Sequence, residues 1–186
     1  VHHTLPIWSH YNNENWCMIG YHAVSVLADA IAKGTTDADL QLMLSACIAT
    51  SNVDYFDGIG YYKKLGYVPE DKSGNSVSKT LEYAYNDWCI AQIALRAKDS
   101  IQYQNYMDRS NNYKNVFDAS INSMRPKLAN GNFRAEFDPK DTHGQGFIEG
   151  NALNYGLYVP HDIPKMIEMM GGKDKFESFL DSIFLQ

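Results

Sequence analysis

Along this chain apolar residues return every three or four positions much more often than every second one, the spacing of helices buried along one face. The first run predicts a helix from about Cys17 to Lys33, with Gly34 suited to the left-handed residue that ends it. A second is expected from an N-cap at Thr36 or Asp37 to about Thr50, and a third from Asp54 through Tyr61, Tyr62 and Leu65 to Gly66. Asn75 to Ser78 supply polar caps for a fourth helix, about Thr80 to Lys98, whose apolar positions Leu81, Ala84, Tyr85, Trp88, Ala91 and Leu95 step by three and four. A fifth starts at Asp99 or Ser100 and ends near Phe117. Residues 118–150 break the rhythm: they are rich in Gly, Asn, Pro and Asp, with one short alternation at Phe133, Ala135 and Phe137. A structureless stretch of that length inside a compact domain is usually functional or mobile. Helix returns near Asn151–Tyr158. Asp162-Ile163-Pro164 then opens another, with Pro in its first turn, that ends at Gly171-Gly172, and a last helix begins near Lys173. Helices of this length joined by short turns make an all-α fold of antiparallel helical hairpins. No self-similar period suggests a solenoid and no heptad persists as in a coiled coil.

Composition narrows the class. A hydrophobic fraction of 45% is that of a globular domain, and 186 residues suffice for one with a core. The net charge is −6 and Lys and Arg form no cluster, so nothing resembles a nucleic-acid-binding face. No apolar run approaches the roughly 20 residues of a membrane span. The 13 tyrosines and 3 tryptophans offer flat apolar faces with polar tips, a surface suited to sugars and equally to protein partners. Cys17, Cys47 and Cys89 lack the spacing of a thiolate zinc site and read as small buried hydrophobes in helices. The start at Val1-His2-His3-Thr4 and the finish at Phe184-Leu185-Gln186, inside an amphipathic run, read as the ends of a piece of a longer chain.

Few residues suggest chemistry by pattern alone. Glu149 lies between Phe147-Ile148 and Gly150 after the long irregular stretch. Apolar neighbours raise a carboxyl pKa, as a general acid at neutral pH requires; the bland alternative is that Glu149 caps the helix that follows. In Val159-Pro160-His161-Asp162, His161 and Asp162 either bind a polar ligand or serve as a loop histidine and an N-cap. Glu82, Asn86 and Asp87 lie on the polar side of the fourth helix, either as a binding edge with Tyr83 or as a solvated face. His22, on an apolar run, reads as a core or interface histidine, and His2, His3 and His10 form no metal motif. No EF-hand loop, nucleophile elbow, phosphate loop or dinucleotide fingerprint occurs.

Three segments together resemble one family. They are Cys17-Met18-Ile19-Gly20-Tyr21-His22-Ala23-Val24-Ser25-Val26; Ser76-Val77-Ser78-Lys79-Thr80-Leu81-Glu82-Tyr83-Ala84-Tyr85-Asn86-Asp87-Trp88; and Glu149-Gly150-Asn151-Ala152 continuing to Val159-Pro160-His161-Asp162. In that order and spacing they are similar to the bacterial exo-acting α-mannosidases of glycoside hydrolase family 92, and the likeness covers nearly the whole chain.

The resemblance implies a two-domain enzyme, a β-sandwich followed by an (α/α)6 toroid, of which residues 1–186 form part of the toroid. It implies inverting hydrolysis of terminal α-mannosidic linkages in mannose-containing glycans, with a bound calcium engaging the sugar. Glu149 matches the family's general acid. Asp87, Trp88, Asn151, His161 and Asp162 fall in the matching motifs and are the expected substrate contacts. The general base and main calcium ligands are expected after Gln186, so the chain alone is expected to bind calcium poorly and to be inactive. A secreted, periplasmic or cell-surface bacterial location follows from the resemblance only.

The family pattern is not met everywhere. Asn86 stands where an acid is usual, Leu153 and Asn154 where an aromatic and a Gln are usual, and Trp16 where a smaller residue is usual; these departures bear on sugar contacts and on an α1,2 preference. The rival readings are a glycan-binding protein on the same scaffold that lacks catalysis, and a purely structural helical module.

Overall fold

The computed structural model describes residues 4–11 and 13–185. A two-residue hairpin, β1 (Ser9–His10) against β2 (Asn13–Glu14), precedes five consecutive helical segments. These are α1 (Ala23–Lys33), α2 (Leu40–Thr50), α3 (Ile59–Leu65), α4 (Ser76–Arg96) and α5 (Ser100–Ser110), the last passing into a 3-10 helix over Asn111–Val116. A second hairpin pairs β3 (Phe117–Asp118) with β4 (Ser123–Met124). After an irregular excursion come α6 (Ala152–Tyr155), α7 (Ile163–Met169, with Pro164 in its first turn) and α8 (Lys173–Phe184). The all-α class and its helical pairs stand as expected for part of an (α/α)6 toroid.

Helix boundaries differ from expectation where particular residues intervene. The helix expected from Cys17 begins only at Ala23, because Gly20 holds φ at +81°, where a helix cannot run. A Cβ at Gly20 would fall 2.4 Å from His22 Nε2. Asp39, not Thr36 or Asp37, caps α2: its Oδ1 accepts from the amides of Gln41 at 2.8 Å and Leu42 at 3.2 Å. α3 starts from Gly58 at φ +84°, and Asp54 instead pairs with Lys63 at 2.8 Å. Asp99 caps α5 as expected, but the continuation to Phe117 tightens into 3-10 geometry after Ser110.

α4 is the axis of the molecule. It packs against α1, α2, α5 and the 3-10 helix, and it is buried on nearly every side. One core joins Val24, Leu44, Cys47, Tyr62, Cys89 and Ile90 between α1, α2, α4 and α5. Another joins Val77, Leu81, Tyr113, Phe147, Ala152 and Met166 beneath α6 and α7. Each large apolar side chain so enclosed contributes about 1.5–3 kcal/mol relative to exposure. Cys47 and Cys89 are buried as expected, and burial pushes their thiols up to about 12 and about 11. Cys17 corrects the expectation: it is exposed and lies outside any helix.

The first turn of α4 shows why the excursion matters. The leading amides of a helix have no partner within it. The Asn75 side chain, expected to cap α4, makes no capping bond. Instead the Ser76 amide donates to Glu70 Oε2 at 3.3 Å, and the amides of Val77 and Ser78 donate to the Gly146 carbonyl at 2.9 and 3.2 Å. Gly146 adopts φ +83°, and a Cβ there would lie 2.6 Å from Pro126 Cγ. The irregular stretch is therefore docked, and Arg125 fastens it further. Its guanidinium donates to Asp118 Oδ2 (2.8 Å), the Arg134 carbonyl (2.8 Å) and the Ala135 carbonyl (2.9 Å). Burial alone would raise the Asp118 carboxyl, but bonds from Ser120 and Arg125 outweigh it and hold the group below its ordinary value.

Candidate active site

Glu149 stands on the last turn of the docked excursion. It is exposed, and its backbone lies at φ +50°, a left-handed conformation that side-chain-bearing residues rarely adopt. Of Phe147 and Ile148, expected to surround its carboxylate, Phe147 turns into the core with 3% of its surface exposed, while Ile148 is half-buried.

Nor is Glu149 the cap of the following helix. Asn151 takes that position: its Oδ1 accepts from the amides of Leu153 (3.0 Å) and Asn154 (3.2 Å), while Asn154 Oδ1 accepts from the Asn151 amide (2.9 Å). Asn151 Nδ2 also donates to the Lys140 carbonyl at 2.9 Å, so both ends of the expected sugar contact are engaged in holding the turn.

Beside Glu149 opens the cleft of about 490 Å³ whose wall includes Ile148. Its remaining walls come from Trp16–Ile19, from Tyr55–Asp57, and from Asn75 and Lys79. Trp16 and Phe56 meet with ring centroids 4.9 Å apart, and Lys79 reaches Asp57 at 2.5 Å and Ser73 Oγ at 2.9 Å. The exposed Cys17 lies on this cleft. Sequence reasoning placed neither Cys17 nor the Lys79–Asp57 pair here, since both depend on segments that only folding brings together.

Under the same turn runs a buried polar cluster. Tyr155 of α6 donates a hydrogen bond to Glu82 Oε1, and His22 Nε2 lies 2.7 Å from Glu82 Oε2. Asn86 Nδ2 meets His22 Nδ1 at 3.0 Å, and Asn86 Oδ1 accepts from the Tyr21 amide at 2.8 Å. Burial and the Glu82 carboxylate push the Tyr155 and Tyr158 phenols well above their ordinary value, so both stay protonated and able to donate. The solvated-face reading of this stripe is corrected: Glu82 is 7% exposed and Asn86 fully buried, because loops rather than water cover this side of α4.

Asp87 goes elsewhere. It is fully buried, accepting at Oδ1 from the Tyr21 hydroxyl (2.7 Å) and at Oδ2 from the Tyr62 hydroxyl (2.9 Å) and Arg109 Nε (2.9 Å). Burial pushes its carboxyl up, and Arg109 opposes that push. With its three partners in the core, the side chain presents no face to a ligand.

Trp88, His161 and Asp162 gather at a third place. The His161 ring lies 6.4 Å from Trp88, 6.2 Å from Tyr85 and 5.5 Å from Tyr113, centroid to centroid. Its Nε2 bonds the Ser110 carbonyl at 3.0 Å, which places the proton on Nε2, and burial pulls the ring below its ordinary pKa. Asp162 sits at the N-cap of α7 but makes no side-chain capping bond; its carboxylate accepts from the Tyr113 hydroxyl at 2.8 Å. Ten residues of α4, roughly 15 Å of helix, separate Trp88 from Ser78, which touches the Glu149 turn. The expected contacts are thus spread over three places.

Among the described residues no three His, Cys, Asp or Glu side chains converge on a point where a metal ion would sit. His10 is exposed on β1, and His2 and His3 lie outside the described residues. No described helix is long and apolar enough to cross a membrane.

Known proteins share this fold. An α-mannosidase of family GH92 from Bacteroides thetaiotaomicron is 41% identical, with a TM-score of 0.93, over 97% of this chain and 24% of its own. An inverting mannosidase of that family from the same organism is 35% identical, with a TM-score of 0.91, over 96% of this chain and 25% of its own. An uncharacterized secreted glycosidase from Arthroderma benhamiae is 26% identical over 87% of this chain and 26% of its own length. The chain spans about a quarter of the length of these relatives. Because residues 2–186 also match the glycosyl hydrolase family 92 catalytic domain, this chain belongs to that family.

Proposed function

We propose that this chain is a segment of a secreted, inverting, calcium-dependent exo-α-mannosidase that removes terminal mannose from glycans, with Glu149 as the general acid. The observation that carries the reading is the likeness to two mannosidases over essentially all of this chain, one of them described as inverting. The name of the secreted relative supports the location. The left-handed turn at Glu149 supports the assignment of the acid, since strained backbone collects at working sites. Inversion needs a second carboxylate about 6.5–9.5 Å away to activate water. That base, the calcium ligands and a β-sandwich partner domain are assigned to the remainder of the polypeptide. The acid protonates the departing glycosidic oxygen as the bond to the anomeric carbon breaks.

The test uses the longest polypeptide containing this chain that cleaves an α-mannoside. Glu149→Gln should lower kcat on a mannobiose by about 10²–10⁴-fold, the usual worth of general acid catalysis. It should cost far less on an aryl mannoside whose nitrophenolate departs unprotonated. Equal losses on the two substrates would remove Glu149 from the role.

A further inference from the structure

Glu149 follows a segment gripped by α4 and precedes a helix gripped by the same face of α4. On the upstream side the Ser78 hydroxyl accepts from the Ile148 amide at 3.1 Å, while the Ser78 and Val77 amides donate to the Gly146 carbonyl at 3.2 and 2.9 Å. On the downstream side Glu82 accepts from the Tyr155 hydroxyl. Ser78 and Glu82 are four residues apart, so they rise from one face of α4 on successive turns. Both are buried. Glu82 is itself braced by His22 at 2.7 Å, and His22 in turn by Asn86 at 3.0 Å.

A non-glycine residue stays in a left-handed conformation only where its surroundings over-determine it. At Glu149 those surroundings are the Ser78 clamp before it and the Asn151 cap and Tyr155–Glu82 bond after it. We infer that Ser78 and Glu82 are positioning residues that set the direction of the Glu149 carboxylate. They touch no reacting atom and act through the backbone on either side of it. The inference rests on the proposed role of Glu149 as the acid.

Kinetics separate this from a general structural role. A misplacement of about 1 Å costs roughly 100-fold in rate, so Ser78→Ala, which frees the Ile148 amide, should lower kcat on a mannobiose by about 10–100-fold with little change in KM. Its effect on the nitrophenyl mannoside should be several-fold smaller, because that leaving group needs no proton. A merely misfolded fraction would depress both substrates alike, so the ratio of the two activities reads positioning independently of how much enzyme folds. Ser78→Thr, which keeps the hydroxyl, should restore the ratio, and Glu82→Gln should shift it in the direction of Ser78→Ala. Equal losses on both substrates in Ser78→Ala and Glu82→Gln, or no loss, would overturn the inference. Glu149→Gln measured alongside keeps the two readings apart. If it shows the leaving-group dependence and the α4 variants do not, positioning fails and the acid stands; if it shows none, the acid reading fails first.

Discussion

Replacing Arg109 with methionine isolates the electrostatic work done inside the helical core. The Asp87 carboxylate is wholly buried and has three donors, of which Arg109 Nε is the charged one at 2.9 Å. The guanidinium also donates to the Ser51 carbonyl at 3.2 Å and lies over the Tyr106 ring at 4.9 Å. Methionine keeps much of the contact with that ring and removes the charge. Leaving a buried carboxylate without its counter-ion costs about 3–5 kcal/mol. Two tyrosine hydroxyls still serve Asp87, and it can escape part of the cost by taking up a proton.

The sign of the pH effect follows. Burial already holds the Asp87 carboxyl above its ordinary value of 3.8, and removing Arg109 moves it further up. Above that ordinary value the folded state then binds more protons than the unfolded one, so the variant loses stability as pH rises and regains it as pH falls. Native-state hydrogen exchange of the α4 amides measures the opening free energy locally, whatever the length of polypeptide around it. At about 1.4 kcal/mol per decade, exchange in Arg109→Met should quicken by roughly two to four decades at neutral pH, after correction for intrinsic rates, and by less in mild acid. Adding Asp87→Asn should recover part of the loss. An acceleration below about tenfold, or one that grows on acidification, would refute the reasoning.

Two further outcomes follow from the same geometry. His161 is held below its ordinary value of 6.5 by burial, so the unfolded chain takes up a proton there before the folded one does, and stability should fall as pH drops below that value. His161→Gln should flatten this slope in melting temperatures taken between about pH 7 and pH 5, and an unchanged slope would assign it to other groups. Glu149→Gly should be more stable than Glu149→Ala by about 1 kcal/mol, the left-handed penalty less the extra freedom glycine gives the unfolded chain, while both lose acid catalysis. Comparable melting temperatures for the two would show that the turn is not strained.

What the sequence disclosed and what it withheld divide along physical lines. Every long helix was legible, because burying one face imposes a period of three to four whatever lies opposite. Starts were misplaced where one backbone angle decided them, as at Gly20 and Gly58, whose positive φ leaves no mark on hydrophobic spacing. Glu149 stood out through its motif and its place after the excursion, but its surroundings did not. Ser78, Glu82 and Asn86 recur every four residues, the pattern of a wet helix face. Their partners Ile148, Tyr155 and His22 lie 70, 73 and 64 positions away, beyond the reach of any periodicity window. A polar stripe cannot reveal by spacing whether water or a polar loop covers it. Here the loop wins, because the Gly146 carbonyl satisfies amides that the first turn of α4 leaves open and so brings the excursion down onto that face. The cap of a structural helix and the placement of the candidate acid are therefore one set of hydrogen bonds, and a substitution that loosens α4 at Ser78 should be felt at Glu149 before it is felt in the core.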